Sequence, residues 1–183
     1  MHKKVSLSRF SNNWYRPGSV FKRILWYWVN LFFFQSYILP INTLKVFVLK
    51  LFGAKVGENC VIKPGVNIKY PWKLKLGNYV WIGEKVWIDN LDEVIIEDNC
   101  CVSQGALLLS GNHNYKSTRF DLIIKPIVLK EGVWIGAKSI VFQGVVCESH
   151  SVLALGSSLS SNMEPYSIYR GNPAVKIKDR VIG

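Results

Sequence analysis

The sequence predicts an all-β protein built as a parallel β-helix, and the spacing of its apolar residues carries this prediction. An apolar side chain recurs every six residues through the C-terminal half. Neither a helix, which repeats about every 3.6 residues, nor a single strand, which repeats every two, produces that interval. The same interval fills three shorter blocks upstream, with a step of eight from one block to the next. These repeat positions are Val56, Ile62 and Ile68; Leu76, Ile82 and Ile88; Ile96, Val102 and Leu108; and Leu129, Ile135, Val141, Cys147, Leu153 and Leu159. Three sides per block predict a triangular coil over residues 56–161.

Residues 1–55 precede the coil and are predicted to form a helical segment. Ser19 is placed to cap the first helix, and large apolar residues then recur at helical spacing until Pro40 ends it. The opposite face of this helix is also apolar, so the helix needs burial on nearly all sides. A second, shorter helix leads to the first repeat position.

Two locations are open for this segment. In the first, both helices pack on the open end of the coil or on a neighbouring subunit and cover backbone edges there. In the second, the first helix lies in a membrane interface, with cations such as Lys22, Arg23 and Lys45 toward anionic headgroups. Residues 24–39 would reach only about 24 Å as a helix against roughly 30 Å of hydrocarbon, so we expect no membrane span. The apolar run also begins too far from the terminus for a cleavable signal peptide.

Two features of the repeat describe the corners of the coil. The fourth residue after a repeat position is usually small or β-branched, as a narrow interior requires. These residues are Cys60, Val66, Val80, Val86, Cys100, Ala106, Val133, Ser139, Val145, Ser151 and Ser157. Glycines directly after a repeat position, at Gly57, Gly77, Gly83 and Gly136, are interpreted as backbone conformations that side chains resist.

The regular spacing breaks between Leu108 and Leu129, and a loop is predicted there. Twenty-one residues separate these positions, where three sides of the coil take 18, and the excess falls in residues 110–126. Loops on a rigid scaffold commonly carry catalytic residues. This loop contains His113. Residues 162–183 form a C-terminal tail.

Composition narrows the classes of partner and cofactor. Twenty-three Lys and Arg against 12 Asp and Glu give a net charge of +11, which suits an anionic partner. Nucleic acid is disfavoured, because the cations are scattered and no recognised motif accompanies them. The chain has only three histidines, with His2 in the terminal tail and His150 at a predicted corner, so no zinc site is expected. The four cysteines include no CxxC pair, which favours a reduced cytosolic compartment.

Seven segments form an ordered set along the chain: Leu51-Phe-Gly-Ala-Lys-Val-Gly57, Pro71-Trp72, Trp87-Ile-Asp-Asn-Leu91, Ile96-Glu-Asp-Asn-Cys-Cys-Val-Ser-Gln-Gly105, Ser110-Gly-Asn-His-Asn-Tyr115, Gly132-Val-Trp-Ile-Gly-Ala137 and Gly171-Asn-Pro-Ala174. The repeat resembles that of the hexapeptide-repeat, left-handed β-helix acyltransferases. The ordered set is similar to the O-acetyltransferases of exopolysaccharide biosynthesis, the colanic-acid type. This resemblance implies left-handed winding, acetyl-CoA as acyl donor, a sugar hydroxyl as acceptor and a homotrimer with active sites between two coils.

His113 is, by the resemblance, the catalytic general base. An alcohol is a poor nucleophile until its proton is removed, and imidazole titrates near neutrality. The resemblance also places Asp89, Asn90, Asn112 and Asn114 at the acceptor. For Asp89 and Asn90 a second interpretation is equally open, in which each bonds backbone groups at a corner. The family usually has Asp where Asn114 stands, so either Asn114 binds substrate or another group orients His113.

Acetyl-CoA would run along the outside of the late coils, by the same resemblance. Its pantetheine arm would lie beside Trp134, Gly136, Ala137, Leu155 and Gly156, mostly against backbone groups. Its phosphates would meet cations of the C-terminal tail. The candidates there are Lys176, Lys178 and Arg180, because Val175 replaces the usual lysine.

The leading hypothesis is an acetyl-CoA-dependent O-acetyltransferase for a surface polysaccharide or its lipid-linked precursor. It would act in the cytoplasm, at the inner face of the membrane. One alternative is an acetyltransferase for an antibiotic or small glycoside, which needs no apolar N-terminus. Another is a non-catalytic scaffold that binds a partner at the membrane, which needs no loop histidine.

Overall fold

A computed structural model describes residues 3–183, so His2 lies outside the described part of the chain. Two helices precede the coil, α1 (Val20–Val29) and α2 (Asn42–Leu51). The Ser19 side chain accepts a hydrogen bond from the Lys22 N–H, which confirms the predicted cap. A π-helical stretch, Asn30–Gln35, extends α1, so the first helix ends at Gln35, before Pro40.

The coil is made of short strands, three to a turn. The first two turns contain β1 (Lys55–Val56), β2 (Val61–Ile62), β3 (Asn67–Ile68), β4 (Leu74–Leu76), β5 (Trp81–Ile82) and β6 (Trp87–Asp89). The third contains β7 (Val94–Ile96), β8 (Cys101–Val102) and β9 (Leu107–Leu109), and a hairpin of β10 (Gly111–His113) and β11 (Leu122–Ile124) follows. The last two complete turns contain β12 (Ile127–Leu129), β13 (Trp134–Ile135), β14 (Ile140–Phe142), β15 (Val146–Cys147), β16 (Val152–Leu153) and β17 (Ser158–Leu159). A terminal hairpin of β18 (Ser167–Gly171) and β19 (Ala174–Asp179) ends the coil.

Equivalent strands of successive turns stack into three parallel sheets. Sheet I contains β1, β4, β7, β12 and β15, sheet II contains β2, β5, β8, β13, β16 and the terminal hairpin, and sheet III contains β3, β6, β9, β14 and β17. All fifteen repeat positions are buried, and so are all eleven small or β-branched corner residues. The predicted parallel β-helix of hexapeptide repeats with a helical N-terminal segment is confirmed.

The sequence-based explanation of the glycines that directly follow repeat positions, an unusual backbone conformation, is wrong. Glycines directly after a repeat position have no positive φ. Instead, a Cβ on Gly83 would lie 2.5 Å from the Gln104 nitrogen of the next turn, and one on Gly136 would lie 2.5 Å from the Leu155 nitrogen. Close approach of neighbouring turns therefore excludes a side chain there. The left-handed conformation occurs three residues after eleven of the fifteen repeat positions, at Asn59, Gly65, Tyr79, Lys85, Asn99, Gly105, Gly132, Lys138, Gly144, His150 and Gly156.

The hairpin lies within the predicted loop, residues 110–126, but the number of coil sides expected between Leu108 and Leu129 is wrong. Strand β12 pairs with β7 in sheet I, so Leu129 begins the side that directly follows Leu108. The interval therefore contains no three sides of the coil. It is a single corner from which the β10–β11 hairpin projects, with Gly111 opposite Ile124 and His113 opposite Leu122.

The helices cover the open end of the first turn. Backbone groups there have no preceding turn to bond with, and helix side chains take its place. Trp26 Nε1 donates to the Ile68 carbonyl at 2.7 Å. Asn42 accepts a hydrogen bond from the Ile62 N–H and donates one to the Cys60 carbonyl, both at 2.8 Å. The structure thus places the helical segment on the coil end, the first of the two locations.

The other face of the helical segment is exposed, with large side chains including Phe21, Trp28, Phe32 and Phe47. Lys45 does not belong to this outer face, contrary to the sequence-based assignment. It is 1% exposed, and its Nζ lies 3.5 Å from the Ile62 carbonyl oxygen. Within residues 3–183 no helix has the length and apolar character needed to cross a membrane.

Candidate active site

The hairpin that carries His113 is anchored at its root by Ser110. This residue has no exposed surface. Its hydroxyl donates to the Asp89 carbonyl at 3.1 Å and accepts from the Asp92 N–H at 2.9 Å, while its backbone carbonyl accepts from the Lys125 N–H at 3.0 Å. These bonds tie both ends of the loop to the corner between sheets III and I.

The imidazole of His113 is oriented by the loop itself. Its Nδ1 lies 2.9 Å from the Phe120 carbonyl oxygen. A carbonyl oxygen only accepts hydrogen bonds, so Nδ1 carries the proton and Nε2 has a free lone pair. The Phe120 ring stacks on the imidazole with centroids 4.2 Å apart, and Phe10 packs on it edge-on at 5.5 Å. This is the tautomer that a general base needs.

The two asparagines beside His113 form turns. Asn112 is exposed, and its Oδ1 accepts a hydrogen bond from the His113 N–H at 2.7 Å. Asn114 Oδ1 accepts from the Lys116 N–H at 3.1 Å. The group that orients His113 is therefore the Phe120 carbonyl, and Asn114 shapes the loop tip.

Asp89 and Asn90 lie at the corner below the hairpin. Asn90 has no exposed surface, and its amide accepts from the Tyr70 N–H at 2.9 Å and donates to the Tyr70 carbonyl at 2.6 Å. It fits the corner interpretation, because neither amide atom is left for a ligand. Asp89 is 8% exposed, and its Oδ1 forms an ion pair with Lys69 Nζ at 2.8 Å. That carboxylate lines a cleft of about 360 Å³ between α1 and sheet III.

A segment that no sequence pattern predicts covers the loop. Residues 3–17, here named the N-terminal strap, run from the hairpin to α1. The Ser6 N–H donates to the Thr118 carbonyl at 2.9 Å, Phe10 meets His113, and the Tyr15 hydroxyl donates to the Leu91 carbonyl at 2.7 Å. The strap has a single short 3₁₀ turn, Leu7–Arg9, so it has no periodic pattern to detect.

The residues predicted for the pantetheine arm do come together. Gly136 and Ala137 form one turn of the corner between sheets II and III, and Leu155 and Gly156 form the next, where the Gly156 N–H donates to the Ala137 carbonyl at 2.8 Å. Trp134 lies on the strand that leads into this corner and is half-exposed. We call these five residues the donor corner.

The three cations predicted for the phosphates do not share one place. Lys176 forms ion pairs with Glu164 and Asp179, each at 2.8 Å, and hydrogen bonds to these carboxylates raise its pKa above the ordinary value. Arg180 donates to the carbonyls of Gly132 and His150, at the opposite edge of sheet II from the donor corner. Lys178 is exposed, and within residues 3–183 it forms no ion pair.

The donor corner and His113 lie at opposite edges of sheet III. Six residues lead from Ala137 to Gln143, which lies above the corner where the hairpin begins. At about 3.3 Å per residue the two edges are roughly 20 Å apart. In one chain, a base at His113 is thus far from an acyl group held at the donor corner. Across the described residues, no group of three His, Cys, Asp or Glu side chains is placed to hold a metal ion.

A parallel β-helix of hexapeptide repeats with a base-competent histidine on a projecting loop defines the class of hexapeptide-repeat acyltransferases. Two solved structures share the fold. One is a hexapeptide-repeat acetyltransferase of Vibrio cholerae complexed with acetyl coenzyme A, with a TM-score of 0.79, 20% identity and coverage of 88% of each chain. The other is a galactoside acetyltransferase with coenzyme A, with a TM-score of 0.76, 24% identity and coverage of 86% of this chain and 80% of that one.

Sequence comparison identifies the family. WcaF of Escherichia coli K12, assigned to colanic acid biosynthesis as an acetyltransferase, is 37% identical over 167 residues, which cover 91% of this chain and 92% of WcaF. The galactoside O-acetyltransferase of the same organism is 25% identical over 135 residues, covering 72% and 66% of the two chains. No family model matches the chain. The chain belongs to the family of the colanic acid acetyltransferase WcaF, as the resemblance in its sequence indicated.

Proposed function

We propose that the protein is an acetyl-CoA-dependent O-acetyltransferase that acetylates a sugar hydroxyl of a surface polysaccharide or of its lipid-linked precursor. The observation that carries the proposal is the Nδ1 bond of His113 to the Phe120 carbonyl, which leaves Nε2 as a proton acceptor. The relationship to WcaF supports a polysaccharide acceptor. The complexes of two fold relatives with acetyl coenzyme A and coenzyme A support the donor.

Transfer proceeds directly from the thioester to the acceptor. Nε2 of His113 takes the hydroxyl proton as the acceptor oxygen attacks the acetyl carbonyl. A backbone N–H of a coil corner stabilises the oxyanion. The C–S bond then breaks, and the proton held on Nε2 of His113 passes to the leaving sulfur, so that coenzyme A is released as its thiol. An acyl-cysteine intermediate is disfavoured, because burial raises the pKa of Cys100 to about 12 and also raises the pKa of Cys101.

The separation of His113 from the donor corner supports a site shared between two chains. A base roughly 20 Å from the thioester cannot take part in the attack, since proton transfer needs hydrogen-bond contact. In a ring of three chains, the hairpin of one protomer would meet the donor corner of the next. The homotrimer is thus part of the proposal.

Substitution of His113 tests the mechanism. His113→Ala should lower kcat by roughly 10²- to 10⁴-fold and leave the KM for acetyl-CoA almost unchanged, because the base acts only in the transition state. The measurement is coenzyme A release with polysaccharide repeat units as acceptors. His150→Asn is the matched control, since His150 lies at another corner and Asn tolerates its left-handed backbone. Near-normal turnover by a folded His113→Ala protein would contradict the mechanism.

The same assay distinguishes the acceptor classes. Small acceptors such as chloramphenicol belong in the panel, because chloramphenicol acetyltransferase of Klebsiella aerogenes is 29% identical over 113 residues, covering half of this chain. We expect turnover with the saccharide repeat units. If only the small acceptors are acetylated, the proposed polysaccharide acceptor is wrong, and the acceptor is an antibiotic or a small glycoside.

A further inference from the structure

A cleft lies between the N-terminal strap and the projecting loop that carries His113. It has a volume of about 430 Å³ and is lined by Arg9, Ser11, Asn13 and Trp14 from the strap and by Arg119 and Asp121 from the loop. Small-molecule sites begin at roughly 300 Å³, so the cleft has room for a saccharide unit.

The strap and the loop that form this cleft also contain the residues that hold the imidazole. Phe10, which packs edge-on against the His113 ring, lies between Arg9 and Ser11 in the strap. Phe120 lies between Arg119 and Asp121. Its ring stacks on the imidazole, and its backbone carbonyl accepts the hydrogen bond from Nδ1. Four of the residues that line the cleft are therefore sequence neighbours of the two phenylalanines that position the imidazole.

The cleft combines an aromatic surface with hydroxyl partners. Trp14 is 56% exposed, so its indole face is free to pack against the apolar face of a sugar ring. Ser11 and Asn13 supply hydrogen-bond donors and acceptors of the kind that sugar hydroxyls use.

The charge of the cleft points to an anionic ligand. Asp121 is already occupied, because one carboxylate oxygen lies 3.6 Å from Arg119 Nε and the other accepts from the Ser117 hydroxyl at 2.6 Å. Arg9 forms no ion pair with any residue from 3 to 183. A free guanidinium beside a half-compensated one favours a carboxylate or phosphate group.

We propose that this cleft is the acceptor subsite and that it binds a sugar unit carrying an anionic group, either a ring carboxylate or an anomeric phosphate. The inference rests on the proposed function, since it takes the ligand to be the acceptor of His113. It assigns acceptor choice to the strap and the loop, with Trp14 packing on the ring and Arg9 binding the charge.

Calorimetry with three probes tests the subsite in the full-length protein. The probes are methyl β-D-glucuronide for a carboxylate, glucose 1-phosphate for a phosphate and methyl β-D-glucoside as the neutral reference. At least one anionic probe should bind at least tenfold more tightly than the glucoside, and the identity of that probe distinguishes the two sources of charge. Arg9→Gln should remove the preference, and Trp14→Ala should weaken all saccharide binding about tenfold or more. The matched control is Lys116→Gln, which removes a cation of the same loop outside the cleft and should change nothing.

Three results would overturn the subsite: no binding of any probe, equal binding of charged and neutral probes, or an anionic preference that survives in Arg9→Gln. Kinetics separate this failure from failure of the reaction. If transfer depends on His113 but the acceptor KM is unaffected in Arg9→Gln and Trp14→Ala, the subsite is wrong and the function stands. If the cleft binds anionic sugars in a protein without acetyl transfer, the cleft is a saccharide site but not an acceptor subsite, and the proposed function is wrong.

Discussion

Single residues at the corners set how closely the turns of this coil approach one another. At Gly57, Gly77, Gly83 and Gly136, each directly after a repeat residue, atoms of the next turn occupy the space that a side chain would need. Three residues after most repeat residues, the backbone takes the left-handed conformation, which glycine and asparagine adopt most readily. The first kind of position has no space for a Cβ, whereas the second requires a residue that tolerates a left-handed backbone. Substitutions distinguish the two requirements.

Gly83→Ala should therefore destabilise the protein more than Gly156→Asn. The alanine Cβ would lie 2.5 Å from the Gln104 nitrogen, so the turns must separate, at a cost of about 1–3 kcal/mol in the free energy of unfolding. A Cβ at Gly156 meets no atom within 4 Å, and asparagine already occupies the equivalent positions 59 and 99. Urea denaturation of both variants measures the difference, and equal losses would contradict the close-approach explanation.

At the scale of secondary structure, the helices cover the first turn of the coil, which has no preceding turn to pair with. Trp26 and Asn42 bond its backbone from α1 and α2, and Phe34 of the π-helical stretch has no exposed surface. Lys45 is the costly member of this contact, because its ammonium group is buried with a carbonyl oxygen at 3.5 Å and no carboxylate partner within residues 3–183.

Lys45→Met should stabilise the protein near neutral pH. Burial lowers the pKa of Lys45 below the ordinary 10.5, so between the two pKa values the unfolded chain binds more protons and wild-type stability rises with pH. Below the folded-state pKa the penalty is complete, and at about pH 10.5 it has largely gone. Removing the amine should thus add on the order of 1 kcal/mol to the free energy of unfolding at pH 7 and less at pH 10.

Chemical denaturation of both proteins at the two pH values measures this difference. Lys50→Met is the matched control, since Lys50 is an exposed lysine of the same helix. A Lys45→Met protein less stable than wild type at pH 7 would show that the amine's hydrogen bond outweighs its desolvation.

At the scale of the whole molecule, the two halves of the proposed site lie at different corners of one rigid coil. His113 projects from the corner between sheets III and I, whereas Ala137 and Leu155 lie at the corner between sheets II and III. Sheet III holds these corners apart, because its strands are paired through every turn. The proposed reaction therefore requires that the hairpin of one protomer meet the donor corner of another.

Mixed oligomers test this arrangement. His113→Ala lacks the base, and Ala137→Trp fills the donor corner, so each variant alone should be inactive. When the two are coexpressed, each mixed trimer contains one interface with a native hairpin and a native donor corner. Random mixing should restore about a quarter of wild-type activity. The measurement is turnover per trimer after sizing, and activity no higher than that of the separate variants would place both groups in one chain.

The sequence by itself determined the coil. The six-residue interval gave the three sides, the buried repeat positions and the small corner residues, because a tight coil puts the same demand on every turn. The break in that interval also located the loop and its histidine. The resemblance carried by Ser110 to Tyr115 is the source of the role proposed for His113, and kinship with WcaF supports the reaction class.

Contacts between segments distant in the chain were decided only by the tertiary structure. The strap over His113, the Phe120 carbonyl that selects its tautomer and the burial of Lys45 leave no periodic trace, because each occurs once and depends on what lies across a gap. The same holds for the placement of Arg180 at the far edge of sheet II. A periodic sequence pattern shows packing constraints that recur in every turn. A unique contact between residues distant in the chain produces no such pattern and forms only when the chain folds.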